Sequence, residues 1–281
     1  MIAAKTTIKT AKSASVKKSV NKTAKVQKEA KVKKKSNTLI EPVKKEIEET
    51  GYDLVAMLQA GVHFGHQSRR WNPKMKPYIW KQKDGIHIFD LLKTTQYLLK
   101  ACEAVKQFIK EGKTIVYVGT KRQAAEIIKA EALRANVAYV STRWPGGVIT
   151  NWKQIKGRID HLLKLEKGLT DNTFSHYTKR ERVLLMREVN RLKRIFGGIE
   201  TLTKIPDALF IIDILREKTA IREARKAGIK VFAIVDSNVD PSLVDHPIPG
   251  NDDAKRSIKL LASAFTDAVI EGQALKGKEN I

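Results

Sequence analysis

The strongest constraint on this chain is an alternation of two patterns. Residues 114–118, 137–140, 208–212 and 230–235 are short, almost unbroken apolar runs, as strands buried on both faces must be. Residues 123–135, 219–226 and 253–271 carry apolar residues at helical spacing. Strands alternating with helices in this way predict βαβ units, hence an α/β fold on a doubly wound, mostly parallel sheet. Upstream, Asp53 is placed to cap a short helix through Leu54, Met57 and Leu58, and 91–109 reads as a longer amphipathic helix. Residues 61–77 read as a loop, and Asp84-Gly85 predicts a hairpin turn between strands at 78–81 and 86–89.

Residues 151–197 interrupt the alternation. Trp152, Ile155, Ile159 and Leu162, then Leu185, Val189, Leu192 and Phe196, recur every three or four positions around a polar stretch at 168–178. That spacing predicts an inserted antiparallel helical hairpin with a coiled-coil-like seam. The expected organisation is a tail over 1–50, an α/β domain over 51–150 and 198–281, and the hairpin over 151–197. Much of the remaining hairpin surface is Lys and Arg, a pattern that fits a solvated face and phosphate contact equally.

Charge narrows the function. The 281 residues hold 54 Lys and Arg against 30 Asp and Glu, a formal charge of +24. Residues 1–40 supply twelve Lys against Glu29 alone, with no Gly, Pro or aromatic residue. Such a segment cannot bury enough surface to offset its ordering entropy and is expected to be a disordered, phosphate-seeking tail. An organelle transit peptide is the other reading, although those favour Arg. No run approaches the roughly 18 apolar residues of a membrane span, and no apolar secretory core follows a charged start, so neither is expected. Cys102, the sole cysteine, excludes a disulfide framework and a multi-cysteine metal site.

Catalytic motifs are sparse. Gly112-Lys113-Thr114 ends like a phosphate-binding loop, but Gln107 stands where its first Gly must be, and the segment precedes a strand. Gly119-Thr120-Lys121-Arg122 lies where a strand hands over to a helix, which suits either an anion site or a plain turn. Asp213 and Asp236 each close an apolar strand, where a carboxylate can hold a cation or accept loop N–H bonds; the latter is expected. His63 and His66 lack the further ligands that zinc needs. An α/β enzyme or receiver-like module using Asp213, Asp236 and the 119–122 turn is one alternative, and a DNA binder driven by the tail is another.

Two loops differ in kind. Arg69, Arg70, Trp71, Asn72, Lys74 and Lys76 alternate guanidinium, aromatic and ammonium groups, as contact with phosphates and unpaired bases requires. Thr142-Arg143-Trp144-Pro145-Gly146-Gly147 repeats the combination, with Trp71 and Trp144 suited either to stacking or to core filling. These stretches, with Ala60-Gly-Val-His-Phe-Gly-His-Gln, Val118-Gly-Thr-Lys-Arg, Thr150-Asn-Trp, Pro206-Asp-Ala-Leu-Phe, Ala233-Ile-Val-Asp-Ser-Asn and Ile248-Pro-Gly-Asn-Asp-Asp-Ala, resemble the bacterial-type small-subunit ribosomal protein uS2 family from about Tyr52 to Gly272. Pro145 departs from the family, standing where Leu is usual and stiffening that turn.

The resemblance implies a flavodoxin-like domain with a protruding helical hairpin and a non-catalytic role on small-subunit rRNA. It also implies neighbouring small-subunit proteins as partners, among them the OB-repeat protein that handles mRNA. The RNA-binding residues expected are His66, Arg69, Arg70, Trp71, Lys74, Lys76, Lys121, Arg122, Arg143, Trp144, Asn151 and Trp152. No cofactor, metal or membrane is expected, with Asp213 and Asp236 the weak metal candidates. The setting is the bacterial cytoplasmic ribosome, or that of a plastid.

Overall fold

The computed structural model describes residues 53–171 and 173–279, so the tail expected over 1–50 lies outside the described residues. Helix α1 (Leu54–Ala60) starts where the Asp53 carboxylate accepts the Val55 N–H at 2.8 Å, and ends at Gly61, φ +76°. Strands β1 (Phe64–Gln67), β2 (Ile79–Lys83) and β3 (Ile86–Phe89) form an antiparallel sheet in the order β1-β3-β2. Asp84 and Gly85 both have positive φ, 50° and 75°, so the anticipated turn joins β2 to β3. The stretch read as a loop differs from expectation: it contains β1 and two 3-10 turns, Ser68–Arg70 and Pro73–Tyr78. Four residues including a Gly gave β1 too little apolar alternation to register.

Helix α2 (Leu91–Lys110) leads into the second layer. There follow β4 (Ile115–Val118), α3 (Ala125–Arg134), β5 (Ala138–Val140), α4 (Trp152–Thr170), α5 (Lys179–Phe196), β6 (Ala208–Ile212), α6 (Lys218–Ala227), β7 (Lys230–Val235), β8 (His246–Pro249) and α7 (Lys255–Glu279). The five strands pair in parallel in the order β5-β4-β6-β7-β8. Counted within this sheet the order is 2-1-3-4-5, the flavodoxin-like arrangement, and the chain changes sides between β4 and β6. Strand β8 escaped the sequence pattern because Pro247 and Pro249 lack N–H donors. It is an edge strand paired to β7 alone, where missing donors are tolerated.

Alternate side chains of the sheet feed two packed faces. Tyr117, Phe210 and Phe232 meet Phe265 of α7, with the Phe210 and Phe265 rings stacked 4.1 Å apart. Val116, Val118, Leu209, Ile211, Val231 and Ala233 point the other way, into a cluster shared with Ile221 of α6 and Ile155, Ile159, Val189 and Phe196 of the helix pair α4 and α5. That pair is tied together by Lys193–Glu166 at 2.6 Å, and the Phe174 ring closes over Gly168 in the connection between them.

Cys102 sits on α2 where it packs along α7, 7% exposed, its Sγ 3.7 Å from the Ala264 carbonyl oxygen. A thiol so enclosed reacts only after unfolding. The folded protein is therefore expected to resist a thiol-specific reagent that modifies it completely in denaturant, as counted by mass spectrometry.

Candidate nucleic-acid interface

The C-terminal edge of the parallel sheet, beside the switch point, collects charge of both signs. Lys121, just after β4, places its ammonium 2.8 Å from Asp252, 2.6 Å from Asp253 and 3.7 Å from Asp213. Burial works against its charge, but the carboxylates prevail and push the pKa up to about 12. Burial, together with the neighbouring Asp236 charge, pushes Asp252 up to about 7 against the pull of Lys121. His66, at β1, contacts Asp236 at 3.0 Å and Asp253 at 3.4 Å, and the bond to Asp236 raises its pKa. The Lys121 charge is thus neutralised within the protein, and His66 is tied to two carboxylates. His66, Asp236, Asp252 and Asp253 bring donor atoms within 4.8 Å of one another, a set that can ligate a hard cation, which would compete with Lys121 for the same oxygens. Asp213 and Asp236 do what strand-end carboxylates commonly do: Asp213 accepts the Arg216 N–H at 3.2 Å and Asp236 the Ser237 N–H at 2.5 Å.

The loop between β1 and β2 divides its cations. Lys74 is held by Asp240 at 2.6 Å, and the half-buried Trp71 rests on the His87 ring, centroids 5.0 Å apart. Arg69 bonds only the Gln67 side chain, while Arg70 and Lys76 are exposed with no ion-pair partner among the described residues. Arg122 is exposed and unpaired in the same sense. Trp80 on β2, 69% exposed between Ile79 and Lys81, is an aromatic surface the sequence patterns did not single out.

The 142–151 turn is built around one carboxylate. Glu223 projects from the buried face of α6 and accepts N–H groups of Gly147 (2.8 Å), Ile149 (3.1 Å) and Thr150 (3.3 Å) as well as the Trp144 indole N–H (3.3 Å). Burial alone would raise its pKa, but these donors outweigh it and hold the carboxyl below its usual range. The turn therefore stands rigidly against the base of α4 and α5, where Thr142 Oγ1 donates to the Arg194 carbonyl at 2.9 Å. Trp144 is a wall residue, 5% exposed, and Trp152 packs partly into the core. Between turn and helices lies a cavity of about 860 Å³ lined by Arg143, Arg158 and Arg194. None of the three has an ion-pair partner among the described residues, and no carboxylate lines the cavity.

The profile of the family described as Ribosomal protein S2 matches residues 57–272. The chain belongs to the ribosomal protein S2 family. It is 50% identical over 223 residues to the small ribosomal subunit protein uS2 of Dictyoglomus thermophilum, a span of 79% of this chain and 91% of that relative. The uS2 protein of Chlorobium phaeovibrioides is 50% identical over 230 residues, 82% of this chain and 90% of the relative. A ribosomal protein S2 scaffold thus carries all the geometry above, from Met57 in α1 to Gly272 in α7. Membership makes the chain a small-subunit ribosomal protein with a structural role in translation.

Of the residues expected to meet RNA, the scaffold brings Arg143, Trp144 and Asn151 together at one cavity, and gathers His66 and Lys121 at the acidic sheet edge instead. Arg69 and Arg70 line a depression with His66 and Asp253 beside that edge, and Lys76 lines neither this depression nor the cavity. Sequence reasoning missed Glu223. Its signal was an acid in register with Ala220 and Ala224 on the apolar side of a helix, a position a carboxylate occupies only when satisfied.

Proposed function

We propose that this ribosomal protein S2 binds small-subunit rRNA without catalysing a reaction, in the bacterial cytoplasmic ribosome, and helps to dock the OB-repeat mRNA-binding protein beside it. The observation that carries the RNA reading is the trio Arg143, Arg158 and Arg194, three guanidinium groups around one cavity with no carboxylate to neutralise them. Unpaired Arg in a rigid setting suits phosphate, which accepts its planar fork. Arg69, Arg70, Lys76 and Arg122 add outlying phosphate contacts, and Trp71 with Asn151 and Trp152 supplies local shape. His66, Lys74 and Lys121 act through the loops they pin, since each is already engaged by a carboxylate of the protein. The resemblance to uS2 supports the docking role, and the tail over 1–50 adds affinity that salt weakens.

The test is the salt dependence of binding. Full-length protein and a variant with Arg143, Arg158 and Arg194 all changed to Gln are titrated against small-subunit rRNA from 50 to 300 mM salt. Each lost phosphate contact lowers the slope of log K against log salt by about 0.7–0.9, so the variant's slope is expected to fall by about 2–3. An unchanged slope and affinity would remove this face from the interface.

A further inference from the structure

We propose that the cavity between the 142–146 turn and the base of α4 and α5 is a pocket for one unpaired nucleotide of single-stranded RNA, base inward and phosphate at the rim. The inference rests on the rRNA-binding reading and specifies what that face recognises. At about 860 Å³ the cavity lies within the roughly 300–1,000 Å³ of pockets that take small organic ligands. Part of its lining is apolar: Trp144, Ile155 and Phe196 are buried and Ile195 is half-buried. Its mouth carries the unpaired guanidinium groups of Arg143, Arg158 and Arg194. A flat ring system joined to a monoanionic phosphodiester matches both zones at once, and an unstacked nucleotide of an RNA strand is that object. A duplex cannot offer it, because its bases are paired and stacked.

Two side-chain amides complete the fit. Asn151 precedes α4 without making the capping bond its position allows, and Gln154 stands one turn on, exposed; both line the cavity. Each amide offers a donor and an acceptor to a base edge. A shallower depression of about 700 Å³ shares Asn151, Gln154 and Arg158 and continues to Lys153 and His161. These positions lie on one face of α4, so the strand has a cationic path onward from the pocket, as a polynucleotide needs and a free mononucleotide does not. An acidic peptide would satisfy the guanidinium groups but brings no flat group to the apolar wall.

Gly146 allows the pocket to be closed without touching its charge. It is exposed, its φ is not positive, and a Cβ there meets nothing within 4 Å, so Gly146→Phe can fill the mouth without straining the turn. Full-length protein, Gly146→Phe and Arg158→Gln would each be titrated with a single-stranded pentaribonucleotide, a duplex of the same sequence, an Asp-rich pentapeptide and small-subunit rRNA, with thermal melting to verify folding. The pentanucleotide is expected to bind the unmodified protein, to lose at least tenfold with either variant, and to crosslink through 4-thiouridine to a cavity residue. The duplex should be indifferent to Gly146→Phe. Unchanged pentanucleotide binding by a folded Gly146→Phe overturns the pocket while leaving rRNA binding intact. Preferential binding of the peptide overturns it in favour of a protein ligand. Should Gly146→Phe fail to fold, Gly146→Leu with the crosslink map decides by the same criteria. Absence of rRNA binding by unmodified protein is the distinct failure of the parent reading.

Discussion

Replacing Glu223 with alanine is expected to destabilise the protein by about 3–5 kcal/mol, because it strips the acceptor from five buried or half-buried donors at once, the Thr150 hydroxyl among them. Hydrogen bonds to a charged group contribute about 1.5–3 kcal/mol each, and loss of the common acceptor is partly relieved as the turn opens to water. The damage should concentrate at residues 144–150, where hydrogen exchange would accelerate far more than in β6 or β7. Glu223→Gln keeps the shape but not the charge, and should fall between alanine and the unmodified chain. The pH dependence has a definite sign. The folded-state pKa of Glu223 is depressed, so its contribution is complete above the unfolded value of about 4.3 and disappears as pH falls through the folded value. Denaturant melts between pH 6 and pH 3 should therefore show a shallower loss of stability for Glu223→Gln than for the unmodified protein. Equal slopes would mean that the carboxylate charge does not hold the turn.

Gly198→Ala is expected to cost about 3 kcal/mol or more. A Cβ there would lie 2.2 Å from the backbone oxygen of Tyr139 and 2.9 Å from its ring. Neither can retreat easily, since Tyr139 is in β5 and its N–H donates to the Gly198 carbonyl at 2.7 Å. The glycine is where the exit from α5 meets the edge of the sheet, so the methyl group would push the helix pair off β5 and loosen the cavity at its base. Gly157→Ala supplies the contrast. It is exposed in α4 with open space around its Cβ, and should stabilise by about 0.5–1 kcal/mol through helix propensity. Chemical denaturation of both variants checks the pair of signs.

The sheet was legible because buried parallel strands need continuous apolar runs, and Ala208–Ile212 and Lys230–Val235 fold as their patterns imply. The seam was legible for the same kind of reason: Ile155, Ile159, Leu162, Val189, Leu192 and Phe196 are all buried. Strand β8 was not, because proline disqualifies a strand by local rules and only the tertiary position at an edge readmits it. The helix over 253–271 extends as α7 to Glu279, since polar final turns carry no periodic signal. The interface was harder to read than the fold. Sequence shows Lys121 and His66 beside glycines as candidate RNA contacts, but their carboxylate partners lie up to 187 positions away. Arg143, Arg158 and Arg194 become a group only when the 142–146 turn meets two helices. Charge type is local information, whereas charge availability belongs to the folded structure.

Ser237 carries a consequence for how the chain is made. Its hydroxyl accepts the His66 N–H at 2.8 Å, its carbonyl accepts the Asn72 N–H at 2.8 Å, and Gly65 passes so close that a Cβ would come within 2.9 Å of its Oγ. The antiparallel layer is thus clasped by a residue 171 positions downstream of His66. At about 5–20 residues per second, a translating ribosome delivers Ser237 roughly 9–34 s after His66. For that interval the earliest-made β-structure lacks its fastening, and its maturation must await the arrival of β7.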